Sequence, residues 1–477
     1  MMNAISKLLV ANRGEIACRI FRACRSMGIA TVAVHSEADR DSLHVSLADE
    51  AMEIGPAPAP ESYLNSDAVL AAARESGADA VHPGYGFLAE NADFARAIRQ
   101  SGMIWIGPAP ETIDAMGDKE CARAIARQCG VPILPGSARF VSADEVRLEC
   151  AALEVNFPIL VKAAAGGGGI GMRVVDSLEE LRAKVETTQK LAERTFGDPS
   201  VYLERYVANA RHVEVQIFGF GDGTGIHLFD RDCTIQRRFQ KIIEEAPAPA
   251  LPPAVRELLH SAALKLVSAQ HYLGAGTVEF IYDCDREEVY FLEMNTRIQV
   301  EHAVTEMITG TDLVDWQIKA AAGTFEQLPS QEAVTGSGHA VECRIYSERP
   351  EKNFFPSPGT LEKLRFPEEG EGLRIDTGVR EGDSITPFYD PMIAKVIAAG
   401  VDRAAAIDRM CQALKAVEIS GVGTNIAFLL EVLRDPEFAQ VEMTTRYVDR
   451  RQQAARRDQG VSESPEANKA GTMARAT

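Results

Sequence analysis

Three stretches of the chain concentrate residues with chemistry to offer. The first is Val161-Lys162-Ala163-Ala164-Ala165-Gly166-Gly167-Gly168-Gly169-Ile170-Gly171. Glycines let backbone N–H groups crowd around phosphate oxygens, and a lysine at a strand end adds a point charge. The order is not that of a Walker loop, where the lysine follows the glycines and opens a helix. Here Met172-Arg173-Val174-Val175 follows and reads as a strand, so the segment is expected to be a strand–loop–strand cover over phosphates, with a plain hairpin tip as the alternative. The second stretch pairs Glu279 in TVEFIY with Glu293 in FLEMN, on strands flanking one turn, with Asn295 two residues on. Such oxygens suit a hard divalent cation, Mg²⁺ or Mn²⁺, bridging nucleotide phosphates, although carboxylates on a solvated sheet face look the same. The third, Asn295-Thr296-Arg297-Ile298-Gln299-Val300-Glu301-His302, offers cation, amide and carboxylate for a small oxyanion and its proton. His302 reads as a residue that orients this loop. Lys241 closes the basic run 236–241 and faces an anion, while Arg237 and Arg238 fit an anion site or a solvated face equally.

These residues need rigid elements behind them. Residues 8–10, a helical pattern through Ile16, Ile20, Phe21, Cys24 and Met27, and a second apolar run at 30–34 make a βαβ unit, hence a parallel sheet. Residues 78–81 and 103–106 read as further strands, and this first domain should end near 113. Its first turn, Asn12-Arg13-Gly14-Glu15, lacks G-x-G-x-x-G spacing, which argues against a dinucleotide site. A helical linker at 116–129 leads to a small module at about 131–205. Beyond it the pattern turns to antiparallel hairpins, with clean alternation at 212–218 and paired runs at 277–282 and 288–294. A third unit is expected from about 338 to 435. Residues 450–477 lack periodicity and read as a disordered tail.

The 477 residues imply two to four domains, and 46% hydrophobic with 25% charged residues is an ordinary globular composition. A net charge of −19 excludes nonspecific binding to nucleic acid or an anionic membrane, so any anion must be met by a local cluster of cations. Nine cysteines without a C-x-x-C pair point to thiols in the cytoplasm. Neither a signal peptide nor a membrane-spanning run is recognisable.

Met116-Gly117-Asp118-Lys119, the glycine loop, EEAPAP, EMNTRIQVEH and HAVECRI, together with ANRGEIACRI and HPGYGFLAEN, resemble biotin carboxylase over about residues 4–447. The resemblance implies an ATP-grasp fold of α/β and α+β units. Residues 1–113 would form a Rossmann-like domain, 114–330 the ATP-grasp domain with a mobile lid at about 131–205, and 331–449 the C-terminal biotin carboxylase domain. It implies ATP, Mg²⁺, bicarbonate and biotin as the small molecules. By matched position, Lys119, Lys162 and the loop glycines Gly167, Gly168 and Gly169 would contact phosphates, Glu204 and Val207 adenine, and His212 and Gln236 ribose. Glu279, Glu293 and Asn295 would hold the metal. Lys241, Arg297, Gln299 and Val300 would hold bicarbonate, Glu301 would deprotonate it, and Arg344 would meet the biotin ureido oxygen. Two positions depart from the family: Ile170 replaces a cation in the lid, and Phe239 stands where His or Asn is common. The chain has no Met-Lys-Met biotinylation sequence, so a separate biotin carboxyl carrier protein and carboxyltransferase are expected, with a homodimer by resemblance, serving acetyl-CoA or another acyl-CoA. Alternatives are another ATP-grasp ligase of carbamoyl-phosphate type and a non-catalytic nucleotide-binding regulator.

Overall fold

The computed structural model describes residues 5–141, 145–164, 172–238, 240–325 and 327–458. The loop glycines Gly167, Gly168 and Gly169, and with them Ile170 and Phe239, lie outside the described residues, as do 459–477.

The N-terminal region is a five-stranded parallel sheet in the order 50–53, 30–35, 7–10, 80–82, 104–105. Its inner strands are apolar on both faces because helices cover both, whereas the edge strand 50–53 is polar and exposed. Leu8 and Val10 pack with Ile16, Ile20 and Phe21 of the helix Gly14–Ser26, while Leu9 and Ala11 pack on the other side with Val69, Phe94 and Ile98. Asn12, just past the first strand, donates to the carbonyls of Pro83 at 2.8 Å and Tyr85 at 2.7 Å and so ties two strand-end loops together.

The expected linker helix is two helices, Pro110–Gly117 and Lys119–Gln128. Asp118 leaves the helical conformation between them and caps the second by accepting from the Cys121 N–H at 2.7 Å, as a short carboxylate at an N-cap does. A three-stranded antiparallel sheet, 172–175, 159–163 and 201–205, follows, with helices Glu145–Val155 and Leu178–Phe196 and its own core of Ile159, Val161, Leu181, Val185 and Leu203.

The centre of the molecule is an eight-stranded antiparallel sheet in the order 288–295, 273–283, 210–220, 225–237, 240–246, 339–346, 392–400, 373–377. Three strands after residue 338, a region expected as a separate unit, therefore continue the same sheet, while the shorter strands there pair among themselves. Strand Gln240–Ala246 would otherwise be an open edge, and His339–Tyr346 pairs along it with Glu244 opposite Glu342. Val213, Val215, Ile217, Val278, Phe280 and Tyr282 pack on the helix Pro253–Ala269, which leaves the alternate residues on the opposite face. The segment expected to be disordered from 450 begins with a helix, Tyr447–Asp458. It is anchored where the Tyr447 hydroxyl donates to Asp435 at 2.6 Å and Arg451 donates to Tyr447 at 2.7 Å. No helix among the described residues is long and apolar enough to cross a membrane.

Candidate active site

The polar face of the central sheet carries the site. Arg231, Glu214, Glu279 and Glu293 are directly opposite one another on four neighbouring strands, so their side chains stand in one row. The last member reaches this face only because of an irregularity: the pairing slips between Glu279 and Phe280, where Glu293 and Phe291 are the partners. Leu292 is the extra residue, and it lets Phe291 and Met294 face the core while Glu293 faces the site.

Three carboxylates side by side repel, and buried cations compensate. The Lys241 ammonium donates to Glu214 at 2.6 Å, Glu279 at 2.8 Å and Glu301 at 2.6 Å. Burial alone would lower its pKa, but the three carboxylates hold it well above the ordinary lysine range. Arg231, with no exposure, uses every N–H of its guanidinium: Nε on Glu214 at 2.5 Å, Nη1 on Gln216 at 2.5 Å and Thr305 at 3.0 Å, Nη2 on Thr277 at 3.0 Å and Gln299 at 2.9 Å.

Glu301 sits between two of these cations. One oxygen accepts from Lys241 and the other from Arg344 at 3.0 Å. Burial pushes the carboxyl up, yet Lys241, Arg344 and Arg231 outweigh it and hold Glu301 well below the usual carboxylate range. The Arg344 Nε lies 2.8 Å from Glu244, whose carboxyl burial raises to about 7 against the pull of Arg344. Gln299 joins the groups, accepting from Arg231 and donating to Glu279 at 2.8 Å, and Arg297 reaches Glu90 at 2.9 Å. The Val300 carbonyl accepts from Lys395 at 2.7 Å. The buried His302 ring sits 2.7 Å from the Gln299 carbonyl and is held neutral, pushed well below the usual range by burial and then Lys395 and Arg19, so it shapes the loop.

The structure therefore brings Lys241, Arg297, Gln299, Val300, Glu301 and Arg344 together, with Glu279, Glu293 and Asn295 beside them. His212 lies 2.9 Å from Glu279 and 2.8 Å from Gln236. Lys119 is the exposed first residue of its helix, and its charge acts on Glu293. Lys162 is the penultimate residue of the strand Ile159–Ala163 and pairs with Glu204, which also takes Arg123, so Glu204 is engaged with two cations. Val207, expected in a strand, lies two residues beyond the end of Val201–Arg205. Arg237 is buried, paired with Glu348 at 3.0 Å and stacked over Tyr346, so it does not lie on a solvated face.

A divalent cation fits the expected set. Burial and the neighbouring Glu279 carboxylate raise the pKa of Glu293, a repulsion that a cation between the two would relieve. Asn295 lies beside them: its amide oxygen accepts from Arg297 at 2.8 Å, which leaves the second lone pair of that oxygen, and its nitrogen donates to Glu279 at 2.9 Å. Sequence reasoning missed Glu214, Arg231, Glu90 and Lys395. A signal for Glu214 was present in the alternation of His212, Glu214 and Gln216 against Val213, Val215 and Ile217. Arg231 lies in a strand whose neighbours Asp230 and Asp232 make it look like a surface charge run.

Family models match nearly the whole chain: the biotin carboxylase N-terminal domain at 4–113, the carbamoyl-phosphate synthase L chain ATP binding domain at 118–329, and the biotin carboxylase C-terminal domain at 342–450. The chain belongs to the biotin carboxylase family. It is 51% identical to biotin carboxylase 1 of Bacillus subtilis over 445 residues, 93% of this chain and 98% of that protein. It is 48% identical to the mitochondrial methylcrotonoyl-CoA carboxylase subunit alpha of Mus musculus, of which it spans 62%. Among solved structures, the biotin carboxylase domain dimer of Hydrogenobacter thermophilus 2-oxoglutarate carboxylase, in complex with MgADP, ADP and bicarbonate, superposes with a TM-score of 0.88 at 45% identity, over 94% of this chain and 98% of that one. Biotin carboxylase of Campylobacter jejuni gives 0.89 at 42% identity, over 94% of this chain and 99% of that one. The fold is ATP-grasp, and the chain is an ATP-dependent ligase acting on biotin.

Proposed function

We propose that this chain carboxylates biotin borne on a separate carrier protein, using ATP and bicarbonate, and that it works with a separate carboxyltransferase as a homodimer in the cytoplasm. The observation that carries the assignment of roles is Glu301 held between Lys241 and Arg344. Bicarbonate, drawn to Lys241 and Arg297, gives its proton to Glu301. A bicarbonate oxygen then attacks the γ-phosphorus, the bond to ADP breaks, and carboxyphosphate forms. Carboxyphosphate releases CO₂ and phosphate beside the biotin ring, the phosphate takes the N1′ proton, and N1′ attacks CO₂. Arg344 stabilises the negative charge that develops on the ureido oxygen. Lys119 and Lys162 meet the nucleotide phosphates, Glu204 and Val207 the adenine, His212 and Gln236 the ribose. Glu279, Glu293 and Asn295 would hold Mg²⁺, which would supply neutralisation of phosphate charge.

The contacts of Glu301 with Lys241 and Arg344 fit this reading once exchange is considered. An arriving anion competes with Glu301 for the Lys241 ammonium, and a carboxylate that loses a cation becomes a stronger base. A cytoplasmic setting fits nine cysteines that are all unpaired. The test is ATP hydrolysis by the purified chain. It should require Mg²⁺ and bicarbonate, stop with a chelator, and accelerate with free biotin. Turnover indifferent to bicarbonate would overturn the reading. Co-purification should recover a biotinylated protein and a carboxyltransferase as other chains.

A further inference from the structure

Lys395 lies in the middle of strand Met392–Gly400, among the fully buried Ala394, Val396, Ile397 and Ala398, and is itself without exposure. An ammonium in such a place costs several kcal/mol unless it is compensated, so its contacts show what keeps it there. In an ordinary buried ion pair the carboxylate takes the shortest contact. Here the short contact is a neutral acceptor: Nζ donates to the Val300 carbonyl at 2.7 Å, whereas Glu15 is 3.3 Å away and Asp376 3.7 Å. The carboxylates balance the charge and the hydrogen bond goes to the backbone beside Glu301.

Lys395 is also directly opposite Arg344 on the neighbouring strand. Two cations facing each other across a ladder repel, and the arrangement is tolerated because each has its own acceptor. Arg344 holds the Glu301 side chain, and Lys395 holds the carbonyl of the preceding residue. That carbonyl shares a peptide plane with the Glu301 N–H, so fixing it fixes the backbone from which the Glu301 side chain projects. Glu301 ends the loop as the N-cap of helix His302–Thr309 without a side-chain cap bond of its own.

The groups facing Lys395 come from every part of the fold. Glu15 belongs to the N-terminal helix, Asp376 to strand Leu373–Thr377 and Glu342 to strand His339–Tyr346. All three hold Lys395 charged against burial, while Arg374 opposes them. The approach of the 376–378 segment to that helix depends on Gly378, where a Cβ would stand 2.3 Å from the Glu15 nitrogen. The geometry points to Lys395 as a positioning residue that aims Glu301 through the Val300 carbonyl. This inference rests on Glu301 being the proton acceptor for bicarbonate.

Lys395→Met and Lys395→Arg, made in the full chain, test it by bicarbonate-dependent ATP hydrolysis and by MgATP affinity measured calorimetrically. Loss of one charge-assisted bond should lower kcat/KM for bicarbonate about tenfold to a hundredfold in Lys395→Met while MgATP affinity stays within about twofold. Lys395→Arg keeps the charge balance with a differently shaped donor, and should fall between the two. A general structural role would instead move nucleotide affinity and bicarbonate kinetics together, and that result overturns the inference. So does a folded Lys395→Met with wild-type bicarbonate kinetics. Should Lys395→Met not fold, wild-type bicarbonate kinetics in Lys395→Arg overturns it. Wild-type turnover independent of bicarbonate would remove the functional reading itself, whereas a bicarbonate-dependent wild type beside unaffected variants removes only the role of Lys395.

Discussion

Replacing Arg231 by lysine keeps a buried positive charge and removes the geometry that the site uses. The guanidinium has five N–H donors, and all five are spent, on Glu214, Gln216, Thr305, Thr277 and Gln299. An ammonium has three, so at least two acceptors lose their donor. At about 1 to 3 kcal/mol for each buried group left unsatisfied, Arg231→Lys should cost roughly 2 to 6 kcal/mol. That is a large part of the ~5–15 kcal/mol that holds a typical protein folded. Urea unfolding followed by circular dichroism should show the midpoint falling. Because Gln299 passes its other bond to Glu279 at 2.8 Å, the loss should also reach the carboxylates proposed to hold the metal and raise the KM for MgATP. An unchanged midpoint together with an unchanged KM would refute the view that Arg231 organises the row of carboxylates.

Glu301→Gln should slow bicarbonate-dependent turnover by about 10² to 10⁴, the usual worth of a positioned base, and leave the KM for ATP near wild type; a loss confined to ATP binding would contradict the role. Arg344→Ala should lower carboxybiotin formation by roughly 10² to 10³ and biotin-independent ATP hydrolysis by less, the smaller loss reflecting its 3.0 Å bond to Glu301; equal losses would speak against a role at the ureido oxygen. Asp39 carries a stability term with a definite pH window. Burial raises its pKa, but the Arg13 bond and Tyr63 bring it down to about 2. The stabilisation, about 2 kcal/mol, is present above the unfolded value of about 4 and vanishes as pH falls toward 2. The difference in unfolding midpoint between wild type and Asp39→Asn should therefore shrink across that interval; a constant difference would refute the assignment.

What was legible in the sequence was local. The parallel N-terminal sheet follows from apolar runs separated by one helix period, and the Asn295 to His302 loop announces itself because its polar groups are consecutive. The row Arg231, Glu214, Glu279 and Glu293 was not legible as a row, since it depends on the register of four strands, and a slip of one residue in any of them would turn its member into the core. Leu292 illustrates the difficulty. Strict alternation puts Glu293 on the same face as Phe291, and only the extra residue separates them. The continuity of the central sheet was hidden for a similar reason, because Ile243 pairs with Cys343 across a hundred residues of chain and neither segment carries a mark of the other.

The same register explains how a chain with a net charge of −19 can hold anionic substrates. Apart from the exposed Lys119, its cations at the site are not left facing solvent, where a short-range field would compete with the acidic body through about 8 Å of screening. They are buried or largely buried and each is matched to carboxylates of the chain: Lys241 to three, Arg344 to Glu301 and Glu244, Lys162 to Glu204. Binding then becomes an exchange of one anion for another around cations already desolvated, so the cost of burying the charge has been met in folding. The exchange also has a chemical consequence. A carboxylate whose cation turns to an incoming anion loses the interaction that depressed its pKa, so Glu301 would gain basicity as bicarbonate arrives, which is what the proposed role asks of it.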